Sequence, residues 1–215
     1  MSGDLVKTRA TTNDASVEDP WETAFRPAKP TLDAVLEMWR PLALLHKHRK
    51  AQQRLFHPKR AAELLETIPV SDRLTKAEAL FLDAVEQPAP EYWVHPTIGL
   101  MLQSSRNAQS IDGDAIRCSI TDSMFRDPVI WEDHQPGFSA PVIARAIREA
   151  RRTHDDAPST AAFLKLCAQH RARFRQWSKD TRVLAQIRYD AEDHIEKLGA
   201  PAQPTDDDDG QDIPF

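Results

Sequence analysis

The longest helical pattern in this chain of 215 residues runs from Thr160 to Leu198 and constrains the fold more than any other feature. Apolar and small residues recur along it at alternating spacings of four and three, which is the heptad seam of a packed helix or a coiled coil. Thr181 and Arg188 interrupt the seam, which argues against a continuous two-stranded coiled coil. Gly199 ends the helix, and Pro201 prevents its resumption. The seam consists of Phe163, Cys167, His170, Phe174, Trp177, Thr181, Leu184, Arg188, Ala191, Ile195 and Leu198.

Shorter amphipathic patterns cover most of the chain before this helix. The first begins at Thr31, an N-cap candidate, and Pro41 is expected to kink or divide it. The fragment 129–131, Val-Ile-Trp, is the only plausible strand and is too short to build a sheet. The sequence therefore predicts an all-α fold. The apolar stripe of the first helix is Leu32, Val35, Leu36, Trp39 and Leu42. Two further helices are predicted over 58–68 and 112–125. A third is predicted to begin at a capping box formed by Thr75 and Glu78, a fourth to run from Pro96 to Ser105, and a fifth to follow Ser139.

Three parts of the chain are distinguished by composition. The predicted body covers residues 31–198, with N-terminal helices over 31–137 and a helical hairpin with the long helix over 138–198. Residues 1–30 are polar and are predicted to form a disordered leader, whose two aromatic residues, Trp21 and Phe25, are expected to pin it to the body or to a partner. Residues 199–215 are predicted to form a flexible acidic tail for docking.

Charge is strongly segregated, although the net charge is only −5. From Arg40 to Arg60 there are seven Lys or Arg and no Asp or Glu, and the stretch 141–190 is also basic. Basic segments attract phosphate backbones, whereas scattered Lys and Arg more often form a solvated helix face. Because nothing acidic offsets the first segment, we predict that it contacts nucleic acid. The predicted contacts are Lys47, Arg49, Lys50, Arg54, Lys59 and Arg60.

Motifs for catalysis, cofactors and metals are not recognisable in the sequence. It has no Walker A loop, no Gly-x-Gly-x-x-Gly, no His-Glu-x-x-His and no Cys-x-x-Cys. His46 and His48 are expected to face different directions on a helix, so they do not predict a shared metal site. Cys118 and Cys167 are too few for a disulfide framework and fit a reducing cytoplasm. We predict a non-enzymatic cytoplasmic protein without cofactor, metal or membrane span.

The C-terminal residues carry the most specific functional signal. An acidic run precedes Ile213, Pro214 and Phe215, which combine apolar side chains, a fixed φ at the proline, and a terminal ring with its α-carboxylate. This arrangement resembles the tip of bacterial single-stranded DNA-binding proteins, which implies a docking peptide for replication and repair proteins. A solubilising acidic tail is the alternative. The predicted docking residues are Asp206, Asp207, Asp208, Asp209, Asp212, Ile213, Pro214 and Phe215.

A second resemblance covers residues 138–169. The segment reads Phe-Ser-Ala-Pro, then Ala-Arg-Arg at 150–152, a Pro-Ser turn at 158–159, and then Phe163 and Cys167. It is similar to a segment of the lambdoid phage P-type helicase loaders, in which a helix ends in Ala-Arg-Arg before a Pro-Ser turn. The resemblance implies that Arg151, Arg152 and Phe163 contact a helicase. A generic helical hairpin is the alternative.

These observations predict an accessory protein of DNA replication, from a phage or prophage, that recruits or loads host replisome components. The replicative helicase is the leading candidate partner, followed by proteins that bind the tip of the single-stranded DNA-binding protein, and by single-stranded DNA. One alternative is a decoy that occupies the tip-binding pocket of such proteins. Another is a helical protein that binds single-stranded DNA. The tail is also a candidate competitor for the basic segment of its own chain, which would make DNA binding autoinhibited.

Overall fold

A computed structural model of the chain describes residues 19–53, 58–126, 137–153 and 156–199. Within these ranges the protein is all-α, with no strand, which confirms the predicted fold class. The predicted strand fragment 129–131, the tail beyond Gly199 and most of the leader lie outside the described residues. The helices are α1 (Pro20–Phe25), followed by a 3₁₀ turn (Arg26–Ala28), α2 (Lys29–Ala43), α3 (Leu45–Gln52), α4 (Pro58–Thr67), α5 (Ser71–Glu86), α6 (Glu91–Gln103), α7 (Gly113–Arg126), α8 (Ala140–Thr153) and α9 (Thr160–Gly199).

The long helix α9 is the centre of the core. It packs against α5, α8, α4, α3, α7 and α2, so helices from both parts of the body bury its seam. The seam is buried from Phe163 to Ala191, apart from Trp177 and Arg188, which are partly exposed, whereas Ile195 and Leu198 at its end are exposed. The predicted long helix is therefore confirmed, and its seam is covered as far as Ala191 by helices of the same chain.

An aromatic cluster fixes the packing of α9 against α5. The ring of Phe174 meets the ring of Trp177 edge to face, with centroids 5.3 Å apart. Phe81 of α5 packs on both, at centroid distances of 6.0 Å from Phe174 and 5.9 Å from Trp177. Tilted and edge-to-face rings at these distances add to the stabilisation from burial alone.

Arg188, which interrupts the seam, has a structural role at the end of α4. Its Nη1 donates hydrogen bonds to the backbone carbonyls of Leu65 (3.1 Å) and Ile68 (2.7 Å). Its Nε lies 2.8 Å from Oε1 of Glu192. The last carbonyls of a helix lack partners within the helix and attract positive charge. Arg188 therefore caps α4 from a position at which the heptad pattern calls for an apolar residue.

The described helices begin earlier in the chain than the sequence predicts. The helix α1 lies inside the predicted leader, and Oδ1 of Asp19 accepts a hydrogen bond from the backbone N–H of Trp21 at 3.0 Å, which caps it. Phe25 is buried against the body, and Nε1 of Trp93 donates to the carbonyl of Ala24 at 3.0 Å. The boundary at residue 30 is therefore wrong, because the two aromatic residues hold α1 against the body.

The buried face of α2 is rotated from the predicted stripe. Leu32 and Val35 are buried as expected, but Met38 completes this face, whereas Leu36 and Trp39 are 75% and 63% exposed. Both faces have apolar residues at helical spacing, so periodicity alone does not separate them. As predicted, the helix is divided just after its proline: α2 ends at Ala43 and α3 begins at Leu45.

Two predicted helix starts are also displaced. The helix α5 begins at Ser71, so Thr75 lies inside it and does not cap it. Glu78, the other member of the predicted capping box, instead accepts hydrogen bonds from Arg182 of α9 at 2.6 and 2.8 Å. The helix α6 begins at Glu91, so Pro96 lies in its interior and not in its first turn.

Candidate nucleic-acid interface

The helix α3 carries the centre of the predicted nucleic-acid-binding segment. Leu45 and His48 are buried on one side of this helix, and α3 packs against α9. Lys47, Arg49 and Lys50 are exposed. A short helix buried through two positions three residues apart leaves side chains on its other faces exposed to solvent. The basic residues of α3 therefore form an outward surface, which we call the α3 basic surface.

The remaining predicted contacts lie on or next to α4. Lys59 and Arg60 are exposed near the start of α4, which is in contact with α3. Nη1 of Arg60 is paired with Oε2 of Glu63 at 2.7 Å, so part of its charge is offset. Arg54 lies outside the described residues. The fold thus brings five of the six predicted side chains onto two neighbouring helices.

The two histidines of the basic segment diverge, as predicted. His46 is exposed, whereas His48 is buried, and burial followed by the charge of His46 lowers the pKa of His48. They do not form a shared metal site. Across the described ranges, no group of three or more His, Cys, Asp or Glu is placed to hold a metal ion.

The residues implied by the helicase-loader resemblance do not form one surface. Phe163 is fully buried in the core, so it is not available for a surface contact and that prediction is wrong. The guanidinium carbon of Arg151 lies 4.3 Å from the ring centroid of Trp21, which ties α8 to α1. Arg152 is exposed and lines a groove between α2, α8 and α9.

A groove between α2, α8 and α9 brings together residues from three separate helices. Its volume is about 570 Å³. We call it the arginine–tryptophan groove. Because α2 and α9 are far apart in the sequence, only the packing of the three helices creates it. It is lined by Trp39, Arg145, Arg148, Glu149, Arg152, His170, Arg173 and Trp177.

Aromatic rings hold two of the arginines in place. The guanidinium carbon of Arg145 lies 5.1 Å from the ring centroid of Trp177, and that of Arg148 lies 5.1 Å from the ring centroid of Phe25. Trp39 is 63% exposed. Trp39 was predicted to belong to the apolar stripe of the first helix, and that prediction is wrong.

The groove is electrostatically positive, with four guanidinium groups against the single carboxylate of Glu149. Burial, followed by the charge of Arg173, lowers the pKa of Arg145 despite Glu149. His170 is buried at the same place, with its Nε2 3.0 Å from Oε2 of Glu149. Burial and the charge of Arg145 lower the pKa of His170 to about 4, against the attraction of Glu149. His170 is therefore neutral at neutral pH, and the positive charge comes from arginine.

One signal in the sequence does point to part of this groove. Arg145, Arg148 and Arg152 recur at spacings of three and four, so they share one face of α8. Arg173 and Trp177 do the same on α9. The contribution of Trp39 has no such signal, because it depends on where α2 docks.

The neutral state of His170 predicts a pH dependence of stability. The pKa of about 4 in the folded protein lies below the value of 6.5 expected for the unfolded chain, so the unfolded state binds more protons between these values. The stabilisation is fully present above pH 6.5 and is lost as the pH falls towards 4. We expect the free energy of unfolding, measured with urea, to fall by about 2–4 kcal/mol between pH 6.5 and pH 4, because His170 takes up a proton in the unfolded chain but not in the folded protein.

The variants His170→Gln and His46→Gln separate this effect from general acid destabilisation. His170→Gln removes the titrating group but leaves Arg145, Arg173 and Glu149 around it, so its stability should depend less on pH between 6.5 and 4. His46→Gln, at an exposed position, should keep most of the slope of the unaltered protein, because it removes only the smaller of the two causes that lower the pKa of His48. Equal slopes for all three proteins would contradict the assignment.

Cys167 does not add a reactive site to this interface. Cys167 is fully buried in the seam, and burial raises the pKa of its thiol well above the usual value. This confirms the prediction that Cys167 is a core residue. Cys118 is exposed on α7.

Comparisons with known proteins find no matching family model, no matching curated protein and no matching solved structure. None of the described helices combines the length and the apolar character needed to cross a membrane.

Proposed function

We propose that this chain is a non-enzymatic accessory protein of DNA replication. Its helical body binds single-stranded DNA, and it recruits or loads a replisome component, with the replicative helicase as the leading candidate. Its tail docks onto proteins that bind the tip of the single-stranded DNA-binding protein. This assignment extends the two sequence resemblances with the surface charge of the helical body.

The α3 basic surface is the observation that carries the DNA-binding part of the proposal. Lys47, Arg49 and Lys50 are exposed, and the sequence from Arg40 to Arg60 contains no Asp or Glu. Phosphate contacts of this kind bind nucleic acid without reading its sequence and release counterions. Such binding suits a protein that acts wherever single strands are exposed.

The tail supports the recruiting part. Ile213, Pro214 and Phe215 provide apolar side chains that a pocket can bury, and the aspartates before them suit a basic rim. Burial of one Phe side chain contributes roughly 1.5–3 kcal/mol. Ordering of the segment on binding opposes part of that gain, so the affinity for the tail alone is expected to be roughly micromolar.

Two other functions fit parts of these observations. A protein that only binds and protects single-stranded DNA is favoured by its basic surfaces and requires no partner for the tail. A decoy that blocks the tip-binding pocket of replication proteins is favoured by the tail and requires no DNA. The three functions differ in what the body does without the tail.

Removal of Phe215 tests the recruiting part. We expect the shortened chain to bind a purified tip-binding replication protein at least tenfold more weakly than the intact chain does, because the ring of Phe215 contributes most of the apolar burial. A purified replicative helicase is expected to remain bound to the body. Affinity is measured by calorimetry with the intact chain and the shortened chain. An unchanged affinity for the tip-binding protein would exclude docking through the tail. Loss of every partner would favour the decoy, and absence of both helicase and DNA binding would exclude the proposed function.

A further inference from the structure

We propose that the arginine–tryptophan groove is a binding site for single-stranded DNA, in which an unpaired base stacks on Trp39 and neighbouring phosphates bind the arginines. The inference rests on the proposed function and adds a second, structurally distinct contact surface to it. The α3 basic surface offers charge alone, whereas this groove offers charge together with an exposed indole. The two surfaces therefore predict different effects when they are altered.

Trp39 is exposed without a role in the core. The buried face of α2 is completed by Leu32, Val35 and Met38, and the indole of Trp39 remains 63% exposed on another face. A large flat ring at the edge of a basic groove is the platform that proteins use to stack unpaired bases. Trp177 is less suited to this role because Arg145 already lies over its ring.

The arginines are placed to hold phosphates around that platform. Arg145 and Arg148 are positioned by their contacts with Trp177 and Phe25. Nη1 of Arg173 lies 3.7 Å from the carboxylate of Glu149, which also contacts His170. Arg152 is exposed on the same face of α8. Planar guanidinium groups bind phosphate oxygens through two parallel hydrogen bonds, and a concave site with excess positive charge attracts anions.

Single-stranded DNA satisfies this combination better than duplex DNA or an acidic peptide. In a duplex the bases are already stacked on one another, so they are not available to Trp39. An acidic peptide supplies carboxylates for the arginines but no flat ring at every residue. The groove volume of about 570 Å³ lies within the roughly 300–1,000 Å³ that is common for ligand sites.

The two basic surfaces lie apart along α9. Gln52, at the end of α3, contacts Asp190, whereas the groove is centred near Trp177. The intervening residues of α9 rise by about 20 Å along the helix axis. A strand that uses both surfaces must cover several nucleotides, which is within the roughly 4–16 nucleotides of known single-strand sites.

Fluorescence anisotropy with a labelled oligo(dT) 16-mer at several salt concentrations tests the site. We expect Trp39→Ala to bind about tenfold more weakly with an unchanged salt slope, because stacking releases no counterions. Trp39→Phe should recover part of the affinity. Arg152→Ala should bind more weakly with a salt slope shallower by about 0.7, the value for one phosphate contact with a single strand.

Two matched variants act as controls for exposed residues. Tyr92→Ala removes another exposed aromatic ring, on α6, and Arg126→Ala removes another exposed arginine, on α7. Both should bind the oligonucleotide as the unaltered protein does. Circular dichroism melting of each variant confirms that the fold is retained.

The outcomes separate this inference from the proposed function. If Trp39→Ala and Arg152→Ala bind as their controls do, while α3 variants lose affinity, the groove is not a DNA site and the proposed function stands. If the intact chain shows no salt-dependent binding to the oligonucleotide, both are overturned. If duplex DNA or a peptide of residues 206–215 binds the groove more tightly than oligo(dT), the occupant proposed here is wrong.

Discussion

Reversal of the charge at Lys47, Arg49 and Lys50 is expected to weaken the binding of single-stranded DNA by about two orders of magnitude at moderate salt. The triple variant Lys47→Glu, Arg49→Glu and Lys50→Glu removes three candidate phosphate contacts and places three carboxylates on the same surface. The slope of log affinity against log salt should become shallower by about 2, since each lost contact with a single strand contributes about 0.7. Both quantities come from anisotropy titrations of one oligonucleotide at several salt concentrations.

The control for this variant must change the net charge by the same amount. Lys76→Glu, Arg106→Glu and Arg126→Glu reverse three exposed charges on α5, on the connection between α6 and α7, and on α7. If bulk charge alone drove binding, the two triple variants would lose equal affinity. A local α3 surface predicts a much larger loss for the first, and equal losses would show that α3 has no special role.

Replacement of Arg188 by alanine is expected to destabilise the fold by about 3–5 kcal/mol, because a nearly buried charged group and its partners lose their interactions together. The side chain of Arg188 is only 11% exposed. Its removal leaves the carbonyls of Leu65 and Ile68 without their donor at the end of α4, and leaves a void beside α9. Urea unfolding at neutral pH measures the change in the free energy of unfolding.

A second arginine on the same helix provides the comparison. Arg182 is 72% exposed and is bonded to Glu78, so Arg182→Ala should cost less than about 1 kcal/mol. The loss of stability caused by Arg188→Lys should lie between those of Arg188→Ala and Arg182→Ala, because an ammonium group reaches one carbonyl but does not reproduce the fork of the guanidinium. Similar costs for Arg188→Ala and Arg182→Ala would show that the cap on α4 contributes little to stability.

The candidate site was predictable only in part. The run without acidic residues identified Lys47, Arg49 and Lys50, and the structure places all three in solvent. The arginine–tryptophan groove was not predicted, because its residues come from α2, α8 and α9 and are adjacent only after these helices pack. The helicase-loader resemblance proposed Phe163 as a contact, but a resemblance in residue pattern does not distinguish a buried ring from an exposed one.

Local periodicity was enough to determine the all-α class, the extent of α9 and the place where α2 gives way to α3. These properties depend on neighbours three or four residues apart, on prolines and on caps, which the sequence displays directly. Tertiary packing decided which residues of an ambiguous stripe are buried, and so why Trp39 faces solvent while Met38 does not. It also decided that Arg188, with a nearly buried side chain, caps α4. Such outcomes depend on partners supplied by distant segments, and no periodic pattern within one helix specifies them.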